Sequence, residues 1–145
     1  CDNNRRNGIS IISANGLKLI SPYAANSNGT LPMAGLDIEP NSPKNELKGI
    51  YISGLKTENN SGNGLDIVLN NLYGGGDKNV DIQIKNPKDV ASVTGARVIS
   101  FRQKAGIPGS IRGMIHIDKP LWSGQKKSSI DTSAMREKAV RLNMQ

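Results

Sequence analysis

Three carboxylates are the side chains of this sequence whose type and spacing most suggest chemistry. Asp37 and Asp66 occupy the same place in two copies of one motif, and Glu39 follows Asp37 by two residues. Like charges held close together raise at least one pKa, and two carboxyl groups with separated pKa values serve as acid and as base or nucleophile in glycoside hydrolysis. The same oxygens could instead hold Ca²⁺, or form a solvated surface that pairs with basic side chains.

Whether these carboxylates meet depends on a repeat that runs down the chain. Four segments share a small or turn residue, a glycine and then alternating apolar residues, and their glycines lie 27, 29 and 31 residues apart. The segments span residues 7–12, 34–39, 63–68 and 94–99. A second set of alternating segments begins at Leu17, Ile50, Ile82 and Ile115, with spacings of 33, 32 and 33 residues. Internal repeats of this length are typical of solenoids.

The repeat predicts an all-β fold, a right-handed parallel β-helix of about four coils. Apolar residues that alternate with polar ones over four to eight residues indicate half-buried strands. The connecting segments, such as residues 40–45 and 72–77, contain turn-forming Gly, Pro and Asn, whereas a doubly wound α/β fold needs amphipathic helices there.

We expect the coils to fill residues 1–123 and a C-terminal cap or basic tail to fill residues 124–145. A short helix from Ser133 to Leu142, with Ser133 as its N-cap, would suit a cap; a disordered basic tail is the alternative.

The predicted register also determines which side chains point outwards. One outward ladder reads Ser10, Asp37, Asp66, Arg97, which makes the two aspartates neighbours on adjacent coils with Arg97 one coil further on. Arg5 and Arg6 precede the first strand and should lie at the rim of this face, where they could neutralise Asp37 or bind an acidic saccharide. The ladder of the second set reads Lys18, Tyr51, Gln83, His116, in which Tyr51 could stack on a sugar ring. His116 is the single histidine, so a metal site built from several histidines is excluded.

Composition limits the range of partners. The formal net charge is +7, and a basic surface favours polyanions. No nucleic-acid motif and no interleaving of aromatic with basic residues is present, and no apolar run is long enough to span a membrane. Cys1 is the only cysteine, so no internal disulfide can form. The chain has no initiator Met and opens in a turn-like segment, so we expect it to be part of a longer protein.

Three stretches resemble the pectate-lyase-like family of right-handed β-helices, in the form found in phage tailspikes and secreted polysaccharide-active proteins. They read Asn4-Arg-Arg-Asn-Gly-Ile-Ser-Ile-Ile-Ser, Ser27-Asn-Gly-Thr and Ala34-Gly-Leu-Asp-Ile-Glu-Pro-Asn41. The resemblance covers roughly residues 1–123 and implies a C-terminal fragment of such a protein. It also implies clustered catalytic aspartates on one face, which Asp37 and Asp66 could supply.

The resemblance together with the residues gives a functional expectation. We expect the chain to bind a polysaccharide, which could be an acidic one, and to cleave it as a hydrolase or a lyase with Asp37, Glu39 and Asp66. Arg5, Arg6, Arg97 and Tyr51 are the expected binding residues. We expect no cofactor, with Ca²⁺ as the one alternative, and no nucleic-acid partner. Location outside the cell or on a virion tail, and a homotrimer, follow from the resemblance. The alternative is a non-catalytic glycan-binding or shaft segment of a trimeric tail fibre.

Overall fold

A computed structural model describes residues 1–100 and 106–145 of the chain. In those residues sixteen strands follow one another: β1 (Ile9–Ile11), β2 (Ala14–Asn15), β3 (Lys18–Ile20), β4 (Tyr23–Ala25), β5 (Leu36–Ile38), β6 (Leu47–Lys48), β7 (Ile50–Ser53), β8 (Lys56–Glu58), β9 (Asn63–Val68), β10 (Lys78–Lys85), β11 (Lys88–Val90), β12 (Thr94–Ile99), β13 (Ile111–Asp118), β14 (Leu121–Ser123), β15 (Ser128–Asp131) and β16 (Val140–Met144). One 3₁₀ turn, Asn70–Leu72, lies between β9 and β10.

The strands stack into parallel sheets that run along the molecule. The first sheet has the order β1-β5-β9-β12-β15, the second β3-β7-β10-β13-β16 and the third β4-β8-β11-β14, while β2 and β6 form a short pair. Every pairing between these strands is parallel and joins one coil to the next. The protein is therefore a parallel β-solenoid of about four coils, which confirms the fold class predicted from the repeat.

The core is a set of aliphatic ladders between the sheets. Leu36, Leu65 and Ala96 stack in the first sheet, as do Ile38, Ile67 and Val98, and all six are fully buried. In the second sheet Ile50, Ile82 and Ile115 form one ladder and Ile52, Ile84 and Ile117 another. These are the inward positions that the period of two predicted. The first-coil members Ile9, Leu17 and Leu19 are only partly buried and pack against this core.

The helix predicted from Ser133 to Leu142 is wrong. Residues 140–144 form β16, which pairs with β13, and β15 pairs with β12. The reason is that Leu142 aligns with Ile115 and Ile130 with Ala96, so both strands extend the aliphatic ladders and use backbone groups that a sheet edge would leave unpaired. A helix of about ten residues is marginal without such packing. No helix in residues 1–100 and 106–145 is long and apolar enough to cross a bilayer.

The third sheet explains why the first motif contains glycine. Its inward side chains come closest to the motif glycines of the first sheet, and a Cβ added at Gly35 would lie 2.5 Å from Thr57 Cγ2. The pairs of motif glycine and opposing side chain are Gly8 with Ala24, Gly35 with Thr57, Gly64 with Asp89 and Gly95 with Trp122. The two sheets therefore approach each other too closely for any side chain at these positions.

Buried polar groups fill the remaining space behind the third sheet. The carboxylate of Asp89 is fully buried and accepts hydrogen bonds from Thr57 Oγ1 at 2.7 Å, Ser92 Oγ at 2.6 Å and Gln125 Nε2 at 2.8 Å. Asn60, also fully buried, accepts from the Ser27 backbone N–H and donates to Ser92 Oγ. Because Asp89 and Asn60 have hydrogen-bond partners, these polar side chains are compatible with burial.

The corner between the second and third sheets has a fixed length. Two residues join β3 to β4, β7 to β8, β10 to β11 and β13 to β14. The first residue of each pair has a positive φ: Ser21 (50°), Gly54 (66°), Asn86 (49°) and Lys119 (48°). The connections that lead into the first sheet vary, with ten residues before β5, four before β9 and three before β12. Chain-length differences are thus confined to the segments that flank the first sheet.

Whether an aliphatic side chain faces the core should determine how much its truncation to alanine lowers the free energy of unfolding. Ile52 is fully buried on β7, whereas Ile20 on the neighbouring strand β3 is 60% exposed. We expect Ile52→Ala to lower the free energy of unfolding by about 2–5 kcal/mol, because it leaves a cavity in a packed ladder. Ile20→Ala is the matched control and should change it by less than about 0.5 kcal/mol. Urea unfolding followed by far-ultraviolet circular dichroism measures both; equal losses would contradict the register.

Candidate functional site

The outward ladder of the first sheet brings charged side chains into register. Asp37 on β5 aligns with Ser10 on β1 and with Asp66 on β9, and Asp66 aligns with Arg97 on β12. Arg97 in turn aligns with Asp131 on β15. The predicted neighbourhood of Asp37, Asp66 and Arg97 is therefore confirmed. Adjacent strands lie about 4.8 Å apart, so two carboxylates in consecutive positions interact strongly.

Asp66 is neutralised by a two-point ion pair. Arg97 Nε donates to Oδ1 at 2.9 Å and Nη2 donates to Oδ2 at 2.5 Å. The Asp66 side chain is fully buried, whereas that of Arg97 is 33% exposed. The hydrogen bonds to Asp66 raise the pKa of Arg97, and the fork geometry of guanidinium and carboxylate makes such a pair strong. Asp66 is thus held by Arg97, whereas Asp37 has no ion pair within 4.0 Å among the described residues.

Asp37 has an incomplete set of hydrogen bonds. The residue is only 3% exposed. Its Oδ2 accepts a hydrogen bond from Asn7 Nδ2 at 2.8 Å, and Asn7 is fixed in turn because its own Oδ1 accepts from the backbone N–H of Ala34 at 3.1 Å. Oδ1 of Asp37 has no hydrogen-bond partner in the part of the chain that the structure describes. A buried oxygen without a partner is costly for a carboxylate, and protonation lowers that cost.

The surroundings of Asp37 favour its protonated form. Burial raises the pKa of the Asp37 carboxyl to about 7, and the negative charges of Glu39 and Asp66 act in the same direction. Arg6 and Arg97 oppose this rise but do not cancel it. Near neutral pH the carboxyl therefore holds its proton about half of the time, which suits a group that donates a proton in one step and accepts one in another.

The other predicted site residues near the first sheet are Glu39, Arg6 and Arg5. Glu39 follows β5, its backbone N–H donates to the carbonyl of Ile11, and its side chain is partly exposed. Arg6 is exposed and its Nε donates to the carbonyl of Leu31 at 3.0 Å, which links the segment before β1 to the connection before β5. Arg5 is exposed too, and Thr30 N–H donates to its carbonyl. The charges of Glu39 and Arg6 act on the pKa of Asp37, so both lie near it, whereas Arg5 is not among the groups that shift this pKa.

Tyr51 lies on a different face from the carboxylates. It belongs to β7 of the second sheet and aligns with Lys18 on β3 and Gln83 on β10. His116 follows in the same ladder, aligned with Gln83. The predicted order of this ladder is confirmed, but a ligand on Tyr51 would not contact Asp37 unless it were long enough to cross from one sheet to the next.

Asn7 is the contributor to the site that the sequence prediction missed. It occupies the small or turn position at the start of the first motif, and its type there indicated a turn residue. Its side chain instead spans to the next coil and holds one oxygen of Asp37. Ala34 occupies the equivalent position in the next repeat, and its backbone N–H donates to Asn7 Oδ1. The difference in residue type between these two positions is the signal that the sequence contained.

The donor set does not resemble a metal centre. Within residues 1–100 and 106–145, no three carboxylate, histidine or cysteine side chains are grouped so that they could hold a metal ion. Asp66 is also engaged with Arg97 on both oxygens. The Ca²⁺ alternative therefore receives no support from this arrangement.

Comparison with known proteins adds no identification. No protein-family model, no curated protein and no solved structure matches the chain. The β-solenoid architecture agrees with the fold that the resemblance to pectate-lyase-like proteins implied, and the agreement extends to the fold alone.

The pH dependence of stability tests the assignment of Asp37. Because the pKa of Asp37 is higher in the folded chain, at about 7, than its ordinary value of 3.8, the folded state binds more protons than the unfolded state between these values. This contribution to stability is present at low pH and is lost as pH rises to about 7. We expect Asp37→Asn, which has the same shape without the charge, to gain in melting temperature relative to the wild type as pH increases from about 4 to about 8. A difference in melting temperature that is constant over this range would contradict a buried carboxyl with a raised pKa.

Proposed function

We propose that the chain acts on a polysaccharide at the first sheet, with Asp37 as the proton donor in glycoside hydrolysis. One observation carries the proposal. A nearly buried carboxyl has a pKa raised to about 7 and an oxygen without a hydrogen-bond partner among the described residues, and the charges of other carboxylates act on it. Glycoside hydrolysis uses one protonated carboxyl to donate to the leaving oxygen and one carboxylate as base or nucleophile.

Each polar residue of the site has a role in this proposal. Asp37 protonates the glycosidic oxygen through Oδ1, while Asn7 orients the carboxyl through Oδ2. Glu39, more exposed than Asp37 and on the same side of the strand, acts as the base or nucleophile. Asp66 acts through its charge, since it raises the pKa of Asp37, and Arg97 and Arg6 are placed to bind the hydroxyl or acidic groups of the sugar.

Hydrolysis is proposed before lyase chemistry because the raised pKa of Asp37 leaves part of its carboxyl population protonated near neutral pH. A lyase requires a base that removes a proton next to a carboxyl group, whereas the hydrolysis proposed here uses the protonated form of Asp37 as an acid. The two reactions give different products, because hydrolysis creates new reducing ends and elimination creates an unsaturated uronate that absorbs in the ultraviolet.

Binding without cleavage is the second candidate, and burial of the aspartates favours it. Asp37 is 3% exposed and Asp66 is fully buried, so a substrate reaches Oδ1 of Asp37 only after the groups that cover it have moved. If they do not move, the exposed groups of this face bind a glycan and leave it intact. Saturable binding to a glycan array with no product would then be observed.

Substitution of the two carboxylates tests cleavage directly. On a panel of capsular polysaccharides we expect Asp37→Asn and Glu39→Gln each to reduce the rate of reducing-end release by about 100-fold or more, the usual contribution of general acid–base catalysis. Asp118→Asn is the matched control, because Asp118 lies on the second sheet and should leave the rate unchanged. Unchanged rates in both site variants would contradict the assignment, and an increase in ultraviolet absorbance with no reducing-end excess would indicate a lyase.

The role of Asp66 gives a separate pH prediction. Asp66→Asn removes a negative charge that raises the pKa of Asp37 and leaves Arg97 without its partner. The falling limb of the kcat/KM profile, which in the wild type follows the loss of the Asp37 proton near pH 7, should therefore move to lower pH. A limb that stays in place while the rate falls at all pH values would show that Asp66 is needed only for folding.

A further inference from the structure

A pair of lysines on either side of Tyr51 forms a second charged feature, away from the carboxylates. Lys18 Nζ lies 5.9 Å and Lys85 Nζ lies 5.8 Å from the centre of the Tyr51 ring. Lys18 comes from the coil before Tyr51, and Lys85 comes from the coil after it, where it aligns with Ser53. One aromatic ring therefore holds two ammonium groups from two different coils.

Among the described residues, no carboxylate lies within 4.0 Å of either ammonium group. In the described part of the chain, Asp66–Arg97 is the one ion pair with an N–O distance within 4.0 Å. Asp118 is the register partner of Lys85, yet it does not come within that distance. Two like charges held at one ring repel each other, and an anion bound beside them would relieve this repulsion.

The arrangement prepares the ammonium groups for a ligand. Each cation–π contact attracts an ammonium group to the ring, and it restricts a side chain that otherwise loses rotamer freedom when it binds. Gln83, exposed and aligned with Tyr51, adds an amide that can donate to or accept from hydroxyl groups. We call Lys18, Tyr51, Gln83 and Lys85 the lysine–tyrosine clamp.

The spacing of the clamp indicates what kind of polyanion fits it. Lys18 and Lys85 lie on β3 and β10, two strand steps apart, so their backbones are separated by about 9.6 Å along the solenoid axis. A nucleic-acid strand carries one phosphate for every nucleotide, whereas the clamp offers two ammonium groups beside one ring. Single-stranded nucleic acid is also bound by successive aromatic rings, whereas Tyr51 and His116, the rings of this ladder in the described chain, are separated by Gln83. A polymer with sparser charges and many hydroxyl groups matches better.

We propose that the lysine–tyrosine clamp binds an acidic polysaccharide that carries its carboxylates at intervals of about two sugar units, with the glycan lying along the solenoid axis. The identity of the ligand as a glycan rests on the function proposed above, but the residues and the face are different. In this proposal the second sheet binds the polymer through its charge, and the first sheet contacts another stretch of the same polymer.

Binding to hyaluronan, which has one carboxylate per disaccharide, tests the clamp. By biolayer interferometry at low ionic strength, we expect Lys18→Gln/Lys85→Gln to weaken binding about tenfold, because two charge-assisted contacts are lost. The control Lys44→Gln/Lys126→Gln has the same net charge and changes two exposed lysines elsewhere, and it should weaken binding less than about threefold. Equal losses in the two double variants, or no binding of hyaluronan to the wild type, would overturn the proposal.

Further probes distinguish the clamp from a nonspecific basic surface and from a nucleic-acid site. Neutral dextran should not compete with hyaluronan, and a poly(dT) oligonucleotide should bind more weakly than hyaluronan; tighter binding of poly(dT) would make the face a nucleic-acid surface and overturn the proposal. Tyr51→Leu should weaken hyaluronan binding about threefold, because the ring no longer positions the ammonium groups. Binding that depends on the lysines therefore supports the clamp even if cleavage at Asp37 is never observed, and cleavage without that dependence refutes the clamp alone.

Discussion

The backbone hydrogen bonds between successive coils are the constraint on which the rest of this structure depends. They join equivalent residues in parallel register in all three sheets, so each side chain lies directly above its counterpart one coil away. Identical inward residues are compatible with this stacking, because isoleucine packs on isoleucine and the ladder buries apolar area that a single coil could not bury. Outward residues are stacked in the same way, whether or not their interaction is favourable.

Stacking also places charged side chains of the first sheet next to one another, and two neighbouring positions, Asp66 and Asp37, differ in the partners they receive. Asp66 receives a guanidinium from the following coil, and both of its oxygens are bound. Asp37 has a carboxylate above it and a serine below it, and its one hydrogen bond comes from an amide. The raised pKa of Asp37 therefore depends in part on the order of residues in one ladder. The residue that the neighbouring coil supplies determines whether an aspartate of this ladder has an ion-pair partner.

The sequence predicted those properties that depend on register and missed those that depend on the connections. Alternation and repeat spacing gave the inward ladders and the adjacency of Asp37, Asp66 and Arg97, since parallel pairing follows directly from the repeat. They did not show that Asp37 is nearly buried, because alternation gives the direction of a side chain and not what packs over it. The terminal strand β16 was also missed, since residues 133–142 have helix-forming composition and the strand conformation of residues 140–144 comes from docking on β13. The third sheet has strands of only three residues, too short for alternation to be visible.

The fixed two-residue corner gives the molecule a rigid side and an adaptable side. Sequence length can change before β5 or after β9 without any shift in the alignment of the coils, because the second and third sheets are aligned through their own corners. Deletion of one residue at Ser21 or Asn86 would instead shift β4 or β11 by one position and exchange inner for outer side chains. Insertions that preserve the alignment of the coils are therefore expected around the first sheet, and one before β5 would enlarge the segment that Arg6 contacts through Leu31.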